Sequence, residues 1–220
     1  MTVQVKICGI NSVESADAAV RAGADFAGLV FHARSPRGVR AEVAHTIADR
    51  LRGRLRIVAL VADADDSAID AAIAAAKPDF LQLHGDESVE RVAAIRSRTG
   101  LPVIKAIPVA EASDLSAAAK YEAVADMLLF DAKAPANATR EGGHGAAFDW
   151  QLLHGRTFSR SWLLAGGLTP DNVARAISIS GAPGVDVSSG VETAPGVKSA
   201  DLIRSFVAHA RSAQFASAAS

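Results

Sequence analysis

Two residues of this chain are placed to move protons. Cys8 follows the apolar stretch VQVKI (3–7) and is itself followed by Gly9, which turns the chain. Asp131 follows DMLLF (126–130) in the same manner. A thiol and a carboxyl brought to one mouth supply two proton-transfer groups of different acidity. Each also has a plainer reading, Cys8 as a small buried hydrophobe and Asp131 as a loop-start cap. Arg37 lies in HARSPRGVR (32–40) behind the stiff Pro36. It can grip a carboxylate through two parallel hydrogen bonds or stand solvated at the surface. Two small-residue turns follow late in the chain, LLAGGLTPDNV (163–173) and GVDVSSGVE (184–192). Gly166 and Gly167 in the first, and Ser188, Ser189 and Gly190 in the second, leave backbone N–H groups open to close approach. With a helix N-terminus behind them, such turns suit a phosphate dianion. A single glycine turn is more often only a turn.

The elements that position these groups repeat. Apolar runs at 3–7, 26–30, 55–61, 79–83, 101–107, 126–130, 161–165 and 184–187 alternate with helix-length stretches. Repeated βα of this kind implies parallel pairing with right-handed crossovers. Two phosphate-type turns after the seventh and eighth runs fit the corresponding strands of a barrel. The fold class is therefore α/β, a single (β/α)8 barrel over 1–211, with a small, polar, Ala-rich tail at 212–220 that frays. Asn11 and Ser12 start a helix that closes at Gly23, and Asp65 and Asp66 start one stopped at Pro78. Thr169-Pro170-Asp171 opens another with Pro in its first turn, and Asp201 begins the last. Strand alternation turns Val3, Val5 and Ile7 outward and Lys6 and Cys8 toward the axis. The same parity groups Gln82 with His84, groups Met127 and Leu129 with Asp131, and sets Asp186 apart from Val185 and Val187. The non-periodic segment 132–147, rich in glycine around His144, reads as a mobile cover or a tolerated insertion.

Composition narrows the function. The chain has 220 residues, half of them hydrophobic, with a formal net charge of −1. No global field draws it to nucleic acid or to a membrane, and no apolar run reaches the ~18 residues of a membrane span. One cysteine excludes an internal disulfide framework and a cysteine-based zinc cage. No secretory signal is visible, so the expected compartment is the cytoplasm. His32, His84, Asp63 and Asp186 form no local ligand-spacing motif, so no metal is expected. Lys105, in mid-strand, reads either as a catalytic amine or, more commonly, as the partner of a neighbouring carboxylate.

Together these residues resemble the phosphoribosylanthranilate isomerases of tryptophan biosynthesis over nearly the whole chain. The landmarks are KICGI (6–10), SPRGV (35–39), LQLHGDE (81–87), FDA (130–132), GGHG with FDW (142–150), LAGGLTPDNV (164–173) and GVDVSSGVETAPGVK (184–198). The resemblance implies an Amadori rearrangement of N-(5-phosphoribosyl)anthranilate to 1-(2-carboxyphenylamino)-1-deoxyribulose 5-phosphate, without cofactor or metal. It implies that Asp131 is the general acid and Cys8 the general base. Arg37 would hold the anthranilate carboxylate, with His84 and Asp186 as further substrate contacts. The phosphate would lie on Gly166, Gly167, Ser188, Ser189 and Gly190. The partner is then a small phosphosugar, and a monomer is favoured over a homodimer. His144 stands where the family commonly has threonine. The alternatives are another phosphosugar-converting barrel, such as a metal-dependent epimerase or indole-glycerol-phosphate synthase, and a silent phosphosugar-binding barrel.

Overall fold

Each of the eight apolar runs becomes a strand, and the strands close on themselves. A computed structural model describes residues 2–133 and 148–217. The strands are β1 (Gln4–Cys8), β2 (Phe26–Val30), β3 (Arg56–Val61), β4 (Phe80–Leu83), β5 (Val103–Val109), β6 (Met127–Ala132), β7 (Ser161–Leu164) and β8 (Gly184–Val187). They pair in sequence order, all parallel, and β8 returns to pair with β1, so no edge is left open. Between them run α1 (Val13–Ala22), α2 (Ala41–Leu51), α3 (Asp66–Ala76), α4 (Val89–Thr99), α5 (Ser116–Tyr121), α6 (Val173–Ser180) and α7 (Ala200–Ser217). Before β7 the described chain makes a 3-10 turn at Trp150–Leu153. The expected cover falls on 132–147, and residues 134–147, His144 included, lie outside the described residues.

Alternation sorts the barrel into two cores. Phe26, Val58, Ile104, Ala106, Met127, Leu129, Leu163 and Ala165 fill the interior. Val5, Ile7, Ala27, Leu29, Leu128, Phe130, Leu164 and Val185 face outward and pack beneath the helices. A parallel sheet covered on one face and filled on the other must be apolar on both. This is why the polar residues that do point inward, Lys6, Gln82 and Asp186, need partners.

Local chemistry sets the boundaries. The Ser12 hydroxyl accepts from the Ser15 N–H and the Ser15 hydroxyl accepts from the Ser12 N–H, so α1 starts with a reciprocal cap. Asp65 accepts from the Ala68 N–H at 2.8 Å and starts α3. The expectation for Pro170 fails, since α6 begins at Val173 with Asn172 in the cap position. Asn172 reaches back instead, accepting from the Thr169 N–H at 2.8 Å and donating to the Gly167 carbonyl at 2.9 Å. That Asn-anchored turn postpones the helix past the proline. The last helix runs to Ser217, past residue 211, since neither Gly nor Pro interrupts 200–217. Residues 218–220 lie outside the described chain.

At the opposite end from the candidate site, three aspartates repeat one device. Asp25, Asp79 and Asp126 each precede an even-numbered strand. Each accepts an N–H from the first or second residue of the preceding odd strand, from Val5 at 2.7 Å, Ile57 at 2.7 Å and Val103 at 2.9 Å. Asp79 and Asp126, expected as first strand residues, thus stand just outside β4 and β6 and satisfy amides that the ladder leaves unpaired.

Candidate active site

Four strands and one hairpin deliver charged groups to the C-terminal mouth. Lys6 and Cys8 lie on β1, with Lys6 fully buried and Cys8 5 % exposed. Lys6 is level with Asp186 in the β1–β8 register, and its Nζ reaches Asp186 Oδ1 at 2.9 Å. Burial works against the Lys6 ammonium, but Asp186 and Cys8 outweigh it and raise its pKa above the ordinary lysine value. Burial also pushes the Cys8 thiol up; Lys6 and Lys198 pull it back in part, while Asp186 adds to the rise. On β2 the residue level with Cys8 is Gly28. A methyl group there would sit 3.0 Å from Cys8 Sγ and 3.2 Å from Lys6 Nζ, so any side chain at this position presses on both.

Across the mouth, His84 follows β4 and Asp131 ends the inward row of β6. Their side chains are 19 % exposed, with His84 Nε2 3.2 Å from Asp131 Oδ2. Asp131 Oδ1 accepts the Ala132 N–H at 2.8 Å. His84 Nδ1 lies 2.8 Å from Gln82 Nε2. With Gln82 donating, the imidazole proton sits on Nε2 and points at Asp131. The buried Gln82 Oε1 has no partner among the described residues.

Arg37 is buried, contrary to its solvated reading. Its Nε and Nη2 donate to Glu192 Oε1 and Oε2 at 2.7 and 2.8 Å. Lys198 Nζ donates to the same Glu192 Oε1 at 2.7 Å and to the Ser188 carbonyl at 3.0 Å. Burial alone would raise the Glu192 carboxyl, but Arg37 and Lys198 hold it below the usual glutamate range. Burial lowers Lys198 more than Glu192 raises it. Glu192 and Lys198 belong to a short hairpin, Glu192–Ala194 with Val197–Lys198, that follows a single 3-10 turn at Ser189–Val191. The second small-residue turn therefore leads to this hairpin before reaching α7. The hairpin leans on the loop that carries Arg37, where a methyl at Gly196 would lie 2.4 Å from the Pro36 carbonyl oxygen. The Arg37 stem fills the space a Gly9 side chain would need, with a hypothetical Cβ only 2.7 Å from Arg37 Cδ.

The two turns meet each other. A methyl at Gly190 would fall 1.8 Å from the Leu168 carbonyl oxygen, and one at Gly166 would fall 2.6 Å from the Ala132 amide nitrogen. Gly166 and Gly167 also adopt φ of 85° and 63°. Glycine is needed here first for backbone-on-backbone contact. Among the described residues, no backbone hydrogen bond outside the helices and strands uses the Gly167 or Gly190 N–H.

The remaining candidates disperse. Lys105 points outward from β5 and donates to Glu87 at 2.8 Å and to the Gly85 carbonyl at 2.6 Å. It fastens the loop after β4 and is no amine of the mouth. Asp63 accepts the Asp86 N–H at 2.8 Å in the same loop. Among the described residues, no three His, Cys, Asp or Glu side chains gather as a metal site. No helix there is long and apolar enough to cross a membrane.

Comparison with known proteins gives the family and the fold. The family model for N-(5'-phosphoribosyl)anthranilate (PRA) isomerase matches residues 5–209. The chain belongs to the phosphoribosylanthranilate isomerase family. It is 53 % identical over 210 residues to the N-(5'-phosphoribosyl)anthranilate isomerase of Paracoccus denitrificans, covering 96 % of this chain and 98 % of that one. It is 50 % identical over 211 residues to that of Paramagnetospirillum magneticum, with the same coverage. Among solved structures, phosphoribosylanthranilate isomerase from Thermotoga maritima superposes with a TM-score of 0.86 at 36 % identity, over 96 % of this chain and 99 % of that one. A phosphoribosylanthranilate isomerase in complex with reduced 1-(o-carboxyphenylamino)-1-deoxyribulose 5-phosphate superposes with a TM-score of 0.81 at 34 % identity, with the same coverage.

Sequence reasoning did not single out Glu192, Lys198 or the Lys6–Asp186 pair. A signal was present in ETAPGVK (192–198), where Pro-Gly marks a tight turn between oppositely charged ends.

Proposed function

We propose that this chain catalyses the Amadori rearrangement of N-(5-phosphoribosyl)anthranilate in tryptophan biosynthesis, with Asp131 as general acid and Cys8 as general base. The observation that carries this reading is the convergence of both groups on one barrel mouth, each with its own polar support. Asp131 gives a proton to the furanose ring oxygen. The C1–O bond breaks, and the nitrogen lone pair forms the C1=N iminium. Cys8 thiolate then takes the C2 proton, and the electrons of that C–H bond form the C1=C2 enolamine while neutralising the iminium. Loss of the C2 hydroxyl proton and protonation at C1 give the ketone, an isomer of the substrate. The His84 and Ala132 donors suit Asp131 because they stabilise the carboxylate that proton donation leaves behind.

The anchoring follows from what each group has left to offer. Glu192 occupies the Nε–Nη2 edge of Arg37, so the Nη1–Nη2 edge remains to take the anthranilate carboxylate side by side. The Gly167 and Gly190 amides face a phosphate, with Gly166, Ser188 and Ser189 shaping the turns around it. His84 and Asp186 flank the sugar.

The test is fluorescence-monitored turnover of freshly made phosphoribosylanthranilate, with and without chelator. Wild type should turn over equally in both. Cys8→Ala and Asp131→Asn should each lose about 10²–10⁴-fold in kcat while still binding the reduced product analogue in calorimetry. Turnover within a few-fold of wild type in either folded variant removes that residue from the mechanism. Loss of activity on chelation restores the metal-dependent alternative.

A further inference from the structure

We propose that Lys6 is the positioning cation for Cys8. Its ammonium, fixed in place by Asp186, supports the thiolate that removes the C2 proton. This rests on the reading of Cys8 as the base, and the experiment below separates the two.

A thiol that is 5 % exposed, in contact with Val30 and Leu60, lies in surroundings that disfavour a negative charge. A base working there needs a neighbouring positive charge. Lys6 supplies one two residues earlier on the same inward face of β1. Its Nζ and Cys8 Sγ both crowd the point where a Gly28 methyl would stand, at 3.2 and 3.0 Å. The absence of a side chain on β2 is what lets ammonium and sulfur approach. Lys6 is fully buried and its long stem has no surface to reach. Asp186, level with it on β8, holds Nζ at 2.9 Å and keeps the charge on the lysine. Such a pair costs desolvation and is weak support for stability alone, so its placement beside a nucleophilic sulfur calls for a functional account.

The charged groups facing Cys8 come from several elements. Lys6 stands on β1, Asp186 on β8, and Lys198 on the hairpin beside its partner Glu192. Arg37 lies behind Glu192, and across the mouth stand His84, just after β4, and Asp131 on β6. Lys6 exerts the largest favourable charge effect on the thiol, and Asp186 opposes it. The two members of one ion pair thus act on Cys8 with opposite signs, and the lysine, which has the larger effect, sets the net direction.

That sign difference is the test. Cys8 is the sole cysteine, so its ionisation is read from the ultraviolet absorbance of the thiolate, with Cys8→Ser as the blank. Lys6→Met should move the titration midpoint of the thiol upward by at least about one pH unit, with the rising limb of kcat/KM moving alongside, a loss of about tenfold or more at neutral pH. Asp186→Asn should move the thiol titration downward. In the double variant Lys6→Met/Asp186→Leu no charge is left unpaired, so it folds even where Lys6→Met does not. Its thiol should titrate above wild type, because the stronger of the two influences has been removed. An unchanged midpoint in the double variant, or shifts of equal sign in both single variants, overturns the proposal. If Cys8→Ala keeps its turnover, the base assignment falls while the titration arms still report on Lys6. If Cys8→Ala is inactive and the titration does not move, Lys6 falls and the base stands.

Discussion

Glu192→Gln tests the charge balance beneath the site. The substitution keeps the side-chain shape and removes the charge that two buried cations share. Glu192 is 4 % exposed in its side chain and accepts from Arg37 Nε, Arg37 Nη2 and Lys198 Nζ at 2.7–2.8 Å. Breaking a buried pair by removing one partner costs about 3–5 kcal/mol, because a charge is left uncompensated. For a domain of this size each kcal/mol moves Tm by roughly 2–4 °C, so the expected drop is about 6–20 °C at pH 7. The dependence on pH has a definite sign. The Glu192 carboxyl is held below its ordinary range, so its contribution is complete above that range, which centres near pH ~4.3 in an unfolded chain, and fades as pH falls through the lower folded value. The gap in Tm between wild type and Glu192→Gln should therefore be widest at neutral pH and close on acidification. Differential scanning calorimetry across this range measures it directly. A gap under about 1 kcal/mol at pH 7, the worth of an exposed pair, or one that does not change with pH, refutes the assignment of Glu192 as a buried charge-balancing anion.

Further outcomes follow from the same geometry. The kcat/KM of wild type should rise with pH through the neutral range, because the proposed base is a thiol that burial has raised; a profile flat to alkaline pH would contradict it. Gly190→Ala should lose about 1–3 kcal/mol of stability, because overpacking must separate two backbones, and should weaken the reduced product analogue more than a variant of it lacking phosphate. Equal losses for both analogues, read by calorimetry, would remove the second turn from phosphate binding. Asp79→Ala should lower stability by about 1–2 kcal/mol through an unsatisfied amide at the far end of the barrel and leave KM unchanged. A change in KM there would mean that the two ends of the barrel are coupled.

The sequence was most legible where one periodicity dominated. β2 and β8 fall where their apolar runs do, and the inward row Met127, Leu129, Asp131 follows from alternation alone. The mouth positions of Cys8, His84 and Asp131 were legible for the same reason. What could not be read was how the inward charges satisfy one another. Alternation places Lys6 and Asp186 on inward faces, but only barrel closure makes β1 and β8 neighbours. Arg37 illustrates the same limit. An arginine in a Pro-Gly loop looks solvated until a hairpin 155 residues later supplies its carboxylate. Pro170 misled for a local reason, since a proline near a helix start marks the turn as readily as the helix. Lys105 was ambiguous because a buried strand in a parallel sheet is apolar on both faces, which leaves no polar stripe to say which way its amine points.

The separation between the charged partners has a consequence for biosynthesis. Lys6 meets Asp186 across 180 residues and Arg37 meets Glu192 across 155. A nascent chain leaving the ribosome presents both cations early and receives both carboxylates last. Until residue 192 is made, a half-built barrel would have to bury two positive charges without partners, which it can do only at high cost. The low-cost burial of both cations therefore waits on carboxylates that the chain supplies near its end. A truncated product ending before β8 would leave β1 and β7 as open strand edges, templates for pairing with another chain.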